Sequence, residues 1–311
     1  MKVIFMGTAD FSANILEKIN AEFEIAAVVT GCDKESGRGK AVAFSPVKKK
    51  ALELGLNLLQ FEKVSRDGIE KIKEISPDVV VTAAFGQILS DEFLAIPKYG
   101  TLNVHASLLP KYRGSSPIQT AIINGEKETG VTIMRTVKEV DAGDVLLYKK
   151  IPIGNMTAGE LFDKLSVLGG EAICEALEAV EKGTAVFTPQ DAAKATFCRQ
   201  FTKNDGLIDF SKTASQLDCF IRGVTPWPTA FTFLDGIMIK VFKISKADLD
   251  GIDLSCKNGE IVKADIKSGL IVKCNDGFIS LDEIQAQNSK RMPSKEYLKG
   301  HRLETGKVFG E

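Results

Sequence analysis

The opening stretch Lys2-Val3-Ile4-Phe5-Met6-Gly7, then Phe11-Ser12-Ala13-Asn14-Ile15-Leu16-Glu17-Lys18-Ile19, then Ile25-Ala26-Ala27-Val28-Val29, sets the architecture. The first run is apolar without alternation and stops at a glycine. In the second, Phe11, Ile15, Leu16 and Ile19 recur at helical spacing. The third is again a short apolar run. A strand with no polar alternation is buried on both faces, as in a parallel sheet covered by helices. The same texture continues with apolar runs at 78–83, 101–105, 130–134 and 145–151, and helical patterns at 69–75, 118–123 and 158–180 between several of them. The expected fold class over roughly the first 180 residues is α/β, a mostly parallel sheet with helices on both faces.

The texture changes near Gly183. Residues 189–201 read as an irregular linker, followed by a helical pattern at 214–222 and the turn-rich Pro226-Trp227-Pro228. Short strands at 237–242, 260–263, 269–274 and 277–281 then alternate with Gly, Asn and Asp, the pattern of a small β-barrel or sandwich. A chain of 311 residues accommodates two domains. The expected division is residues 1–188, a linker over 189–205, and 206–311. On that division a chain ending before Gly206 keeps a folded first domain.

Forty Lys and Arg face 41 Asp and Glu, and from Gly206 onward 15 face 14. A polybasic binder is excluded, so any polyanion has to be held by a local patch. No apolar stretch approaches the ~20 residues of a membrane-spanning helix. The N-terminus reaches Gly7 and Asp10 too early for a secretory signal. Six cysteines lack any Cys-x-x-Cys pair, so they read as free, mostly buried thiols in a reducing compartment, and the expected location is the cytoplasm.

An open parallel sheet binds its ligand at the carboxyl ends of its strands. The first such turn, Gly7-Thr8-Ala9-Asp10-Phe11, lacks G-x-G-x-x-G spacing and argues against a dinucleotide. Thr8 or Asp10 either caps the following helix or touches substrate. Asn103-Val104-His105-Ala106-Ser107-Leu108-Leu109-Pro110-Lys111-Tyr112-Arg113-Gly114 is more informative. Residues two apart on a strand share a face, so Asn103 and His105 project together. The other histidine, His301, sits among Lys299, Arg302 and Glu304. Asp141, in Glu139-Val140-Asp141-Ala142-Gly143-Asp144, is either turn chemistry or the partner of an imidazole, and spacing leaves the two open.

Asn103-x-His105, then Ser107-Leu108-Leu109-Pro110-x-x-x-Gly114, then Asp141-x-Gly143 resembles the signature of the folate-dependent formyltransferases, and the resemblance extends over essentially the whole chain. It implies a Rossmann-like formyltransferase domain followed by a small C-terminal β-barrel, OB-like, that binds tRNA. It also implies that Asn103, His105 and Asp141 are catalytic, and that 10-formyltetrahydrofolate is the formyl donor, with no metal. Phe85, Gly86, Gln87, Ile88 and Leu89, with Ser107, Leu108, Leu109 and Pro110, are the implied folate-binding residues. The loop from Ser36 to Lys48 and the added C-terminal domain resemble those members that act on methionine esterified to initiator tRNA, rather than on a small amine such as glycinamide ribonucleotide. Arg38, Gly39, Lys40 and Lys48 are the implied tRNA contacts. No obligate protein partner and no membrane are implied, and the protein is expected to be a monomer. Departures from the family pattern at Ala9, Ser90, Ser115-Ser116, Val140 and Thr229 remove none of the catalytic groups.

Overall fold

The computed structural model describes residues 1–36, 41–249 and 255–310. Contacts divide the chain into two units: Met1–Pro117, Glu128–Pro152 and Phe162–Arg199 form the first, and Ile118–Lys127, Ile153–Leu161 and Gln200–Glu311 the second.

The first unit is built on a seven-stranded sheet. Its strands are β1 (Lys2–Gly7), β2 (Glu24–Thr30), β3 (Leu58–Gln60), β4 (Val79–Ala83), β5 (Thr101–His105), β6 (Glu128–Arg135) and β7 (Val145–Pro152). They lie in the order β7–β6–β5–β4–β1–β2–β3, the five from β5 to β3 parallel, β6 antiparallel to β5 and β7 antiparallel to β6. The mostly parallel α/β sheet expected from the apolar runs is therefore present.

Both faces are covered. Val3, Ile4, Phe5 and Met6 are fully buried, each worth about 1.5–3 kcal/mol in apolar burial. Ile4, Met6 and Val80 pack with Val64, Ile69, Ile72 and Phe93 on one face. Register pairs Ile4 with Val80, and Thr82 with Asn103, so Asn103 shares that face and Val104 takes the other. There Gly169 of the long helix Ala158–Glu181 lies against Val104 and against Ile15 of helix α1 (Asp10–Asn20), with the Phe11 and Phe162 rings edge to face at 5.6 Å. Chain order reverses about β1, which pairs in parallel with both β2 and β4. This makes a switch point at the carboxyl ends of β1 and β4, the place where open α/β sheets bind their ligands.

The second unit is a small antiparallel β domain, as the turn spacing suggests. Strands β8 (Ala230–Leu234), β9 (Ile237–Ala247), β10 (Ile261–Asp265), β11 (Gly269–Cys274) and β12 (Gly277–Ala286) run in the order β8–β9–β12–β11–β10, and Met292–Pro293 adds to β12. Val241, Leu270, Val272 and Leu281 form a core with Leu217 and Ile221 of the helix Ala214–Gly223. Two earlier pieces of chain belong to this unit. Ile123 packs on its core, the Arg222 guanidinium donates to the Met156 carbonyl at 3.0 Å, and Gly159 N–H donates to the Thr225 carbonyl at 3.1 Å.

None of the six cysteines is in a disulfide, but only Cys174 and Cys274 are buried; Cys198, Cys219 and Cys256 are half-buried and Cys32 is exposed. Burial, reinforced by Glu22, pushes the Cys174 thiol up to about 12. Among the described residues no helix is long and apolar enough to cross a membrane.

Candidate active site

Asn103 and His105 stand at the carboxyl end of β5, one strand over from the switch point. The Thr82 hydroxyl donates to Asn103 Oδ1 at 2.8 Å. With its carbonyl oxygen engaged, Asn103 has its amide N–H pair left to donate elsewhere.

His105 is buried, with 6% of its surface exposed. Its Nε2 lies 2.9 Å from the Tyr112 carbonyl oxygen. A carbonyl only accepts, so Nε2 is the nitrogen that donates here, and Nδ1 is the one left for other partners. Nδ1 faces Asp141 Oδ2 at 3.6 Å, beyond hydrogen-bond length, and the Asp141 side chain is 15% exposed. The Asp141 carboxylate accepts the Gly114 N–H at 2.8 Å, and its backbone sits in the left-handed region at φ 50°. Asp and Asn tolerate that region better than most residues. A close approach follows at Gly143, where a Cβ would lie 1.8 Å from the Arg135 carbonyl oxygen. The structure thus brings Asn103, His105 and Asp141 to one end of the sheet.

Two loops flank them. Ser107 Oγ donates to the Lys111 carbonyl at 2.7 Å, and Thr132 Oγ1 donates to the Ser107 carbonyl at 2.6 Å while accepting the Leu109 N–H at 3.1 Å. The Tyr148 phenol donates to the Leu109 carbonyl at 3.0 Å, and burial raises its pKa, which keeps that donor protonated. Residues 107–110, among them the half-buried Leu108 and Pro110, are therefore held from several sides.

The other loop follows β4. Gln87 Oε1 accepts the Val64 N–H at 2.8 Å, Ser65 Oγ donates to the Ile88 carbonyl at 3.3 Å, and Thr8 Oγ1 donates to the Phe85 carbonyl at 3.4 Å. Phe85 and Leu89 are buried, Gly86 has φ 76°, and Ile88 is 80% exposed. An apolar side chain that open, beside the switch point, is suited to an apolar ligand surface. Among the described residues no group of three His, Cys, Asp or Glu side chains is placed to hold a metal.

Of the expected tRNA contacts, Arg38, Gly39 and Lys40 lie outside the described residues. Lys48 differs from its expectation. It sits in the first turn of helix α2 (Pro46–Glu53), and its ammonium is 2.5 Å from Asp33 Oδ2, 2.9 Å from Gln60 Oε1 and 4.0 Å over the Phe44 ring. Its side chain is only 11% exposed. Lys48 is thus an internal tie, with its charge already partnered.

Several residues at the site were not singled out from sequence. Thr82 carried a signal: it is the one polar residue in Val79-Val80-Val81-Thr82-Ala83, at the strand end where ligands bind. Gln190 carried none. Its Oε1 accepts from Arg113 Nε at 3.1 Å and Nη2 at 2.7 Å, and its Nε2 donates to the carbonyls of Asp141 at 2.9 Å and Gly143 at 2.7 Å. Nearby, Phe197–Cys198 pairs in parallel with Arg113–Gly114. Such long-range pairing leaves no local pattern.

The amide, the imidazole and the carboxylate thus meet beside the switch point of a mostly parallel sheet, where folds of this class bind their ligands. The formyl transferase profile matches residues 1–177, and the profile of the formyl transferase C-terminal domain matches residues 200–302. The chain belongs to the formyl transferase family. The methionyl-tRNA formyltransferase of Ruminiclostridium cellulolyticum is 45% identical to it over 314 residues, 100% of both chains. That of Clostridioides difficile is 44% identical, again over 100% of each. Among solved structures, an N-formyltransferase from Helicobacter canadensis in complex with folinic acid and dTDP-3-aminofucose superposes with a TM-score of 0.67 at 19% identity, covering 92% of this chain and 99% of that one. HypX from Aquifex aeolicus in complex with tetrahydrofolic acid gives 0.64 at 19% identity, covering 99% of this chain and 50% of that one. These two likenesses are of fold.

Proposed function

We propose that this protein transfers the formyl group of 10-formyltetrahydrofolate to the α-amino group of methionine on initiator methionyl-tRNA, giving the N-formylmethionyl-tRNA used to start translation. The observation that carries the reading is the meeting of Asn103, His105 and Asp141 beside the switch point, in a chain matched end to end by relatives bearing the methionyl-tRNA name.

In the reaction the amine nitrogen bonds to the formyl carbon, the bond from that carbon to folate N10 breaks, the amine loses a proton and N10 gains one. Asn103 Nδ2–H serves the oxyanion that develops on the formyl oxygen, with Thr82 holding the other end of the amide. A donor aimed at developing charge is typically worth about 2.7–4 kcal/mol. His105 Nε2 is committed to the Tyr112 carbonyl, so Nδ1 is the atom that handles the proton, with the Asp141 carboxylate across from it to receive or balance the charge. Folate lies along 85–89 and 107–110, walled by Ile88 and Leu89. Arg38, Gly39 and Lys40 meet the phosphates of the acceptor stem, and the part from Gly206 onward serves as the tRNA-binding domain. A cytoplasmic location and action as a monomer belong to this reading.

The test offers 10-formyltetrahydrofolate with methionyl initiator tRNA and, in parallel, glycinamide ribonucleotide. Formylation of the tRNA alone is expected, and His105→Ala is expected to lower turnover on the order of 10²-fold with the fold intact. Formylation of the ribonucleotide, or wild-type turnover by the folded variant, would overturn the substrate or the mechanism respectively.

A further inference from the structure

We propose that Gln190 is the positioning residue of the site, the group that holds Asp141 opposite His105. The inference rests on the reading of Asp141 as catalytic and extends it to a residue 49 positions further along the chain. The Gln190 amide is fully used: both N–H bonds donate, to the Asp141 and Gly143 carbonyls, and the oxygen accepts twice from the Arg113 guanidinium.

These bonds close a ring. Arg113 is followed by Gly114, whose N–H binds the Asp141 carboxylate, while Gln190 binds the Asp141 backbone. The carboxylate and the main chain of Asp141 are therefore tied to the same two-residue strand, one directly and one through Gln190. The tie acts where the backbone needs support, since Asp141 sits at φ 50° and the turn is otherwise held by a 3.4 Å contact from Ala142 N–H to the Glu139 carbonyl and, at its end, by Arg135 N–H donating to the Asp144 carbonyl at 2.9 Å. The Gln190 donors point at both carbonyls of this turn, the one at Asp141 and the one at the close approach of Gly143.

Gln190→Glu separates the two halves of the tie. The carboxylate keeps the side-chain size and its partnership with Arg113, but it has no donor for the two carbonyl oxygens and faces them with like charge. The turn is released while Arg113 stays. Misplacement of a reacting group by about 1 Å can cost 10²-fold in rate, and a fall in kcat of about 10-fold or more is expected, with KM for methionyl-tRNA and folate affinity within twofold of wild type. A group with a merely structural role would move KM and thermal stability along with kcat.

The experiment is a double-mutant cycle on the full chain, with kcat and KM measured for wild type, Gln190→Glu, Asp141→Asn and the double variant. Gln190→Glu is expected to cost little further in the Asp141→Asn background, because the group it positions is already gone. An unchanged kcat in Gln190→Glu beside a slow Asp141→Asn, or the same fold loss in both backgrounds, overturns the proposal alone. Wild-type turnover by Asp141→Asn overturns the reading of Asp141 itself and takes the proposal with it. Should Gln190→Glu lack the wild-type circular dichroism, Gln190→Ala, which brings in no charge, goes through the same cycle; failure of both to fold makes Gln190 a residue of stability and overturns the proposal.

Discussion

At the scale of single residues, the site is made by neighbours that use up one end of each functional group and leave the other. Thr82 takes the oxygen of Asn103, Tyr112 takes Nε2 of His105, and Gly114 takes an oxygen of Asp141. On the reading proposed above, each of these side chains is thereby pre-oriented before any substrate arrives. Gly143 shows how tightly this is built. A Cβ there would meet the Arg135 carbonyl oxygen at 1.8 Å and its carbon at 2.9 Å, backbone atoms that cannot swing aside. Gly143→Ala is expected to cost about 1–3 kcal/mol as an overpacking change and to lower turnover by moving Asp141, both read from thermal melts and steady-state rates. A variant as stable and active as wild type would mean that the turn has slack. Asn103 and His105 were legible as a pair in sequence because a strand fixes which residues share a face, whereas spacing left Asp141 open between turn chemistry and the partner of an imidazole. What made it the partner is the fold of residues 112–114 and 190 around it, and chain distance hides that.

At the scale of elements, strand and helix extents followed from hydrophobic period where the period was strong. The strand Thr101–His105 and the helix Ile69–Ile75 lie where the pattern put them. Short or weakly patterned pieces were lost. Leu58–Gln60 is only three residues long, and Pro46–Glu53 carried its start signal in Ser45-Pro46, with the Ser45 hydroxyl accepting the Lys48 N–H at 3.1 Å. With that start signal unread, Lys48 was placed among the expected tRNA contacts. Once it is a helix, Lys48 points at Asp33 and Gln60, and the hydrogen bond from Lys48, followed by that from Gln60, lowers the Asp33 pKa below the ordinary carboxylate range. A depressed carboxyl contributes stability above its unfolded pKa and loses it as pH falls through the folded one. Melting temperature followed from pH 7 down to pH 2 is therefore expected to fall less steeply in Lys48→Met, which starts lower, than in wild type. Parallel curves would show that the pair adds nothing to acid sensitivity.

At the scale of the whole molecule, the two units are not two consecutive lengths of chain. Ile118–Lys127 and Ile153–Leu161 lie early in the sequence but belong with the residues after Gln200. Ile123 packs on the core built from Leu217 and Ile221, and a Cβ on Gly223 would meet Ile123 at 2.5 Å. A fragment ending before Gly206 keeps the seven-stranded sheet but leaves these two segments without their packing. It is expected to bind a hydrophobic dye such as ANS and to melt below the full chain; a fragment that melts as the full chain does, without dye binding, would count against this. The composition change near Gly183 pointed to a second domain, but it could not reveal which earlier helices the later strands would cover, because that depends on pairing across a hundred residues.

The return of the chain to the site at Gln190 also has a consequence for the order in which the protein is made. The three groups at the ends of the sheet are complete once Asp141 has been synthesised, but the residue that ties the Asp141 turn follows 49 positions later. At roughly 5–20 residues per second, a nascent chain spends several seconds with every reacting group present and the turn unclamped. The tie on the Asp141 turn therefore arrives only with residues 190–198, and on the reading proposed above a chain that stalls before them holds Asn103, His105 and Asp141 without it.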